Sequence, residues 1–125
     1  MDNIESKHIL IIDDEPQILK LLSRVFSRYD FKIDTASNGR EGIAKIDSYD
    51  YNLIITDIKM PDVSGEQVCN HLKDVKKKET PIIGMSGTPW LLDHTIFNAV
   101  LEKPCSKNEL CKTVEKCLDY KTITK

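Results

Sequence analysis

Five short runs rich in β-branched residues alternate along the chain with stretches whose apolar residues return every three or four positions. The first run, His8-Ile9-Leu10-Ile11-Ile12, has the length and continuous apolar character of a strand covered on both faces. Asp13-Asp14-Glu15-Pro16 follows. Proline is tolerated in a first helical turn, and acids there suit the helix dipole. Ile18, Leu19, Leu21, Leu22, Val25 and Phe26 then repeat at helical spacing and predict a helix from Glu15 to Ser27. Phe31 to Ala36 reads as a second, weaker strand, and Asn38-Gly39 as a turn opening a short helix from Gly39 to Ser48. A third strand runs from Tyr51 to Thr56 and ends at Asp57. After the loop Ile58 to Ser64, a third helix carries Val68, Cys69, Leu72 and Val75. Pro81 to Met85 is the fourth strand and Ala99 to Glu102 the fifth. A last helix opens at Cys105, with Leu110, Val114, Cys117 and Leu118 on one face.

Strands alternating with helices imply an α/β fold, a doubly wound parallel sheet covered on both faces. The expected strand order is 2-1-3-4-5, the flavodoxin-like arrangement with right-handed crossovers. Ligands of such sheets bind outside the carboxyl ends of the strands, near the switch point between strands 1 and 3. The length of 125 residues fits one domain, with an ordered core expected over residues 7–119.

Placed on this fold, the polar residues at the strand ends acquire meaning. Strand 1 delivers Asp13 and Asp14, strand 3 Asp57, strand 4 Ser86 and strand 5 Lys103. At about 4 Å and an effective dielectric near 20, each carboxylate pair repels by roughly 4 kcal/mol. A hard divalent cation offsets that repulsion, and three acids with no His or Cys beside them fit Mg²⁺ better than zinc. Lys103 can bring an ammonium to a phosphoryl oxygen, and the Ser86 hydroxyl can hydrogen-bond another. Phosphoryl transfer asks for positioning and charge neutralisation, and a carboxylate at a strand tip is a suitable nucleophile.

Four pieces in order, each after its own strand, carry a family likeness: Ile12-Asp13-Asp14-Glu15, Asp57-Ile58-Lys59-Met60-Pro61-Asp62-Val63-Ser64-Gly65, Met85-Ser86-Gly87 and Glu102-Lys103-Pro104. Together they resemble the signature of receiver domains of two-component response regulators. The resemblance implies a phosphorelay switch, not a turnover enzyme, that takes a phosphoryl group from a sensor histidine kinase or phosphotransfer protein. It implies that Asp57 is the phosphoacceptor. Asp14, Asp57 and the backbone carbonyl of Lys59 would bind Mg²⁺ directly, and Asp13 through water. Lys103 would pair with the phosphoryl group, and Ser86 would occupy the switching hydroxyl position. The Lys103-Pro104 peptide resembles the family's cis bond, and X-Pro is where a cis bond is least costly. Output in the family commonly uses the face of the fourth helix, fifth strand and fifth helix.

The sequence departs from the family pattern near that face. Val100 stands where many receivers carry a rotating aromatic, and Cys105 replaces a familiar Phe. The interval from Ser86 to Lys103 leaves room for about two helical turns, so the fourth helix is expected to be short and the output face unusual. Trp90 is expected to cover the core under that helix. Lys59 and Thr88 fall where the family tunes dephosphorylation.

Composition narrows the rest. The charged fraction is 30% and the net charge −2, which lacks the basic face that direct nucleic-acid binding requires. No apolar run approaches the roughly 20 residues needed to cross a bilayer, and the N-terminus lacks secretory features, so a cytoplasmic location is expected. Cys69, Cys105, Cys111 and Cys117 lack metal-finger spacing and read as free thiols, a redox role for Cys105 being the lesser alternative. His8, His71 and His94 read as surface or packing residues, and the lysine-rich run from Lys73 to Glu79 as a solvated helix end. No coiled-coil heptads occur, so any homodimer is expected to use a domain face. Two rival readings are a small Mg²⁺-dependent phosphatase or phosphotransferase and a binding-only pseudo-receiver. The first lacks an insertion to cap a substrate; the second would be expected to have lost one of the five polar residues.

Overall fold

The structure, a computed structural model, describes residues 7–88 and 96–118. Five parallel strands form one sheet in the order β2-β1-β3-β4-β5, as the pattern predicts. They are β1 (His8–Ile12), β2 (Lys32–Ala36), β3 (Leu53–Asp57), β4 (Ile82–Ser86) and β5 (Ala99–Glu102). The helices are α1 (Pro16–Ser27), α2 (Gly39–Ser48), α3 (Gly65–Asn70) and α4 (Lys107–Leu118). The shortened fourth helix expected from the sequence, with Trp90, falls at residues 89–95, outside the described residues.

Side chains alternate across the strands, so each central strand feeds two cores. Ile9, Ile11, Leu53, Ile55, Ile83 and Met85 pack on one face against Leu22 and Phe26 of α1 and Leu110 and Val114 of α4. Leu10, Ile12, Ile54 and Ile82 pack on the other against Ile46 of α2 and Val68 of α3. β1, β3 and β4 have almost no exposed surface, which explains their lack of polar alternation.

The boundaries move by one or two residues for local reasons. β3 and β4 each extend by one residue, to Asp57 and Ser86, so both polar tips are still held in the ladder. The last helix begins at Lys107 and not at Cys105. Ser106 and Glu109 close a reciprocal cap at its start, with Glu109 N–H donating to Ser106 Oγ and Ser106 N–H to Glu109 Oε1. That Ser-x-x-Glu signal was present in the sequence.

The third helix differs more. After Asn70 it widens into a π-helical turn over His71–Val75, with Lys76 N–H donating to the carbonyl of His71. The extra residue rotates the remainder of the helix, so Leu72 stays buried while Val75, expected on the same apolar face, is 65% exposed. The lysine-rich run is not simply solvated. Lys73 Nζ donates to the Ile96 carbonyl, and Lys78 Nζ to Asp50 Oδ1 at 2.7 Å.

The acidic pocket at the strand ends

Alternation carries three charged residues to one place. The ladder continues one residue past β1 and β5, through Asp13 N–H to the Ala36 carbonyl and Lys103 N–H to the Ser86 carbonyl. Asp13, Asp57 and Lys103 therefore stand in the rows begun by Ile9-Ile11, Leu53-Ile55 and Ala99-Leu101, all on the α1–α4 side. Lys103 Nζ lies 2.9 Å from Asp13 Oδ2, 3.3 Å from Glu15 Oε1 and 3.4 Å from Asp57 Oδ2. Carboxylate oxygens of Asp13, Asp14 and Asp57 all lie within 4.8 Å of one another. Asp13 and Asp57 are buried and Asp14 is exposed, so the cluster opens to solvent on one side.

The loop after β3 is fixed by packing. Ile58 and Met60 are buried, while the side chain of Lys59 between them is exposed. Ser64 and Gln67 form a capping box at the start of α3, which draws that helix back under the strand end. Gly65 N–H donates to the Ile58 carbonyl at 2.9 Å. A Cβ on Gly65 would collide with the Asp57 carbonyl oxygen and the Ile58 Cα, so this position requires glycine. The glycine of the D-x-x-M-P-x-x-x-G piece thus lets α3 approach the backbone of Asp57 itself.

Ser86 is buried at the neighbouring strand tip, and its Oγ accepts from Thr88 N–H at 3.0 Å. Val100 is half-buried in the α2–α3 core, and Cys105 packs on the edge of the other. The Lys103-Pro104 peptide is cis. All four described cysteines are free.

Electrostatics mark Asp57. Burial, and then the neighbouring charge of Asp13, push its pKa up to about 6, against the opposing pull of Lys103. Burial works against the Lys103 ammonium, but its acidic neighbours together hold its pKa above the ordinary lysine value. Asp13 Oδ1 accepts from Glu15 N–H at 2.9 Å. Its Oδ2 is buried and meets the Lys103 ammonium at 2.9 Å. Asp13, Asp14 and Asp57 still outnumber that one ammonium, so the cluster carries negative charge that a divalent cation would offset. The donors are all hard oxygens, so the residues present fit Mg²⁺.

Sequence reasoning found Asp13, Asp14, Asp57 and Lys103, and the fold brings them together; Ser86 stands at the adjacent strand tip. It missed Glu15 as a partner of Lys103, having read it only as an acid suited to the start of α1. It also missed that His8 bonds Asp34 and that His71 bonds Asp47.

A groove of about 280 Å³ runs beside Lys103. Ile18, Leu21, Leu22, Met85, Pro104 and Cys105 line it, and Leu21 is 53% exposed. No described helix is long and apolar enough to cross a membrane.

Known proteins resemble this chain in sequence and fold. The response regulator receiver domain family matches residues 9–115. The transcriptional regulatory protein ResD of Bacillus subtilis is 42% identical over 83 residues, covering 66% of this chain and 34% of ResD. TcrA of Mycobacterium tuberculosis, also a transcriptional regulatory protein, is 30% identical over 86% of this chain and 44% of its own. The chain thus spans between a third and a half of these two relatives. The response regulator TrrA of Thermotoga maritima, solved in complex with Mg²⁺-BeF, superposes with a TM-score of 0.81 at 36% identity, covering 90% of this chain and 99% of that one. The chemotaxis protein CheY4 of Vibrio cholerae, at 24% identity and a TM-score of 0.82, shares the fold. With the sheet order, the acidic cluster and the lysine all in agreement, this chain belongs to the response regulator receiver domain family of two-component signalling.

Proposed function

We propose that the chain is a phosphorylation switch in which Asp57 takes a phosphoryl group from a phosphohistidine donor with Mg²⁺. The convergence of Asp13, Asp14 and Asp57 with Lys103 on one buried strand edge carries this reading. TrrA, a relative solved with Mg²⁺-BeF, supports it.

Asp14, Asp57 and the Lys59 carbonyl would hold the ion directly, with Asp13 acting through water. Bound there, Mg²⁺ would neutralise the acids and the incoming phosphoryl oxygens. A carboxylate oxygen of Asp57 attacks phosphorus as the P–N bond to the donor imidazole breaks. Lys103 turns its ammonium to a phosphoryl oxygen, charge for charge. The Ser86 hydroxyl, now accepting from Thr88 N–H, turns to donate to another phosphoryl oxygen. That movement links the site to β5 through the bond from Lys103 N–H to the Ser86 carbonyl, and so to the face that β5 and α4 help form. The donor is a histidine kinase or phosphotransfer protein, and the apolar groove beside Lys103 is a surface it could meet. The chain catalyses only its own phosphorylation and hydrolysis.

Incubation with acetyl phosphate and Mg²⁺, read by intact mass, tests this. One hydroxylamine-labile phosphoryl on Asp57 is expected. Turnover of acetyl phosphate with no lasting adduct would favour a phosphatase, and no reaction at all a pseudo-receiver.

A further inference from the structure

The first turn of α2 contributes none of the acids of the pocket, yet it is built against the loop that follows Asp57. Arg40 is the second residue of α2, where the helix dipole disfavours a cation. Its guanidinium turns to that loop, with Nη2 donating to Asp62 Oδ2 at 2.6 Å. Asp62 is held at a φ of 73°, and Val63 N–H donates across it to the Pro61 carbonyl at 2.9 Å. This is a γ-turn of the rare, strained kind. Gly39 meets the same turn. It is buried so closely on Val63 that a Cβ would stand 2.5 Å from the Val63 carbonyl oxygen. Two successive residues of α2 are thus seated on two successive residues of one strained turn.

The turn lies just beyond the Lys59 carbonyl. Ahead of that carbonyl the chain is anchored by buried Ile58, whose own carbonyl accepts from Gly65 N–H. Behind it, buried Met60 runs directly into Pro61, the first residue of the turn. We infer that Gly39 and Arg40 are positioning residues that brace the Pro61–Val63 turn and so hold the Lys59 carbonyl in place for Mg²⁺. The inference rests on the phosphoacceptor reading and deepens it, adding α2 to the elements that shape the ion site. Without the brace the turn relaxes toward less strained backbone, and ordering the loop again is charged against ion binding. The two side chains of the pair are 74% and 68% exposed, so the effect is that of a surface ion pair, about two- to fivefold in Mg²⁺ affinity.

The test joins Mg²⁺ affinity, by calorimetry, with hydrogen exchange at the Val63 amide in the metal-free protein. Arg40→Gln and Asp62→Asn are each expected to bind Mg²⁺ about two- to fivefold more weakly and to exchange that amide faster. Asn accepts a positive φ as Asp does, so the second variant reports the lost pair alone. Arg40→Lys keeps the charge and is expected to restore most of both readouts. In an Asp62→Asn background, Arg40→Gln is expected to add nothing, since the pair is already gone. Gly39→Ala must displace Val63 and is expected to weaken Mg²⁺ binding at least as much as Arg40→Gln. Wild-type affinity in Arg40→Gln, Asp62→Asn or Gly39→Ala, no restoration by Arg40→Lys, a further loss in the double variant, or unmoved exchange at Val63 would each overturn the inference. Failure of the wild-type chain to bind Mg²⁺ at all would instead overturn the ion-site reading on which the inference rests.

Discussion

Asp57 and Asp34 are the same residue type on neighbouring parts of one sheet, and their surroundings push them in opposite directions. Burial disfavours the ionised form of both. Around Asp34 the cost is more than offset. Tyr51 donates its hydroxyl to Asp34 Oδ2 at 2.7 Å, and His8 Nε2 meets the same oxygen at 2.9 Å, so its pKa falls below the usual carboxylate value. Around Asp57 the nearest company includes a second buried acid, Asp13, and the pKa rises to about 6. The His8 ring also packs on Tyr51, with centroids 4.5 Å apart, which fixes the Asp34 cluster in place. One acid is satisfied by its hydrogen-bond partners; the other shares a single ammonium with a second buried acid, the kind of perturbed carboxylate that the proposed chemistry would use.

Asp57→Asn breaks that comparison at its strained end and has the largest expected effect. Phosphorylation by acetyl phosphate should vanish while the fold stays intact. The raised pKa also fixes a sign. The folded state holds the Asp57 proton more tightly than the unfolded chain does, so the metal-free protein loses stability as pH climbs from about 4 through 6. Asn has no proton to lose. In urea titrations with chelator, the variant should match wild type near pH 4 and gain on the order of 2 kcal/mol over it by pH 7. A constant difference across that range would remove the case for strain at Asp57.

Tyr51→Phe sharpens the other end and has a smaller effect. It deletes one hydrogen bond to a part-buried carboxylate and should cost about 1 kcal/mol at neutral pH. Asp34 has the depressed pKa, so its contribution is present above the unfolded value and fades as pH falls through the folded one. The Tyr51→Phe penalty should therefore shrink in acid, and acetyl phosphate reactivity should not change. Altered phosphorylation in this variant would show that the two clusters are not independent.

These two acids also differ in how legible they were. Asp57 could be read because it follows a strand whose period places its end at the sheet edge, beside Asp13 and Lys103 at equivalent ends. Asp34 could not, since its partners His8 and Tyr51 lie 26 and 17 positions away and carry no motif. The alternating periods implied the parallel sheet, and the flavodoxin-like arrangement supplied the strand order that is observed. The π-helical turn at His71–Val75 had no signal, because one inserted residue leaves the apolar spacing before it unchanged and only rotates the helix beyond it. Glu15 was visible beside Pro16, but its reach to Lys103 depends on a side-chain path that spacing does not encode.

Titration of Mg²⁺ into the metal-free chain, followed by calorimetry, tests most directly whether the strained acids form an ion site. Binding at one site is expected for wild type, with marked loss in Asp14→Asn and in Asp57→Asn. No binding by wild type, or equal binding by all three proteins, would contradict the account.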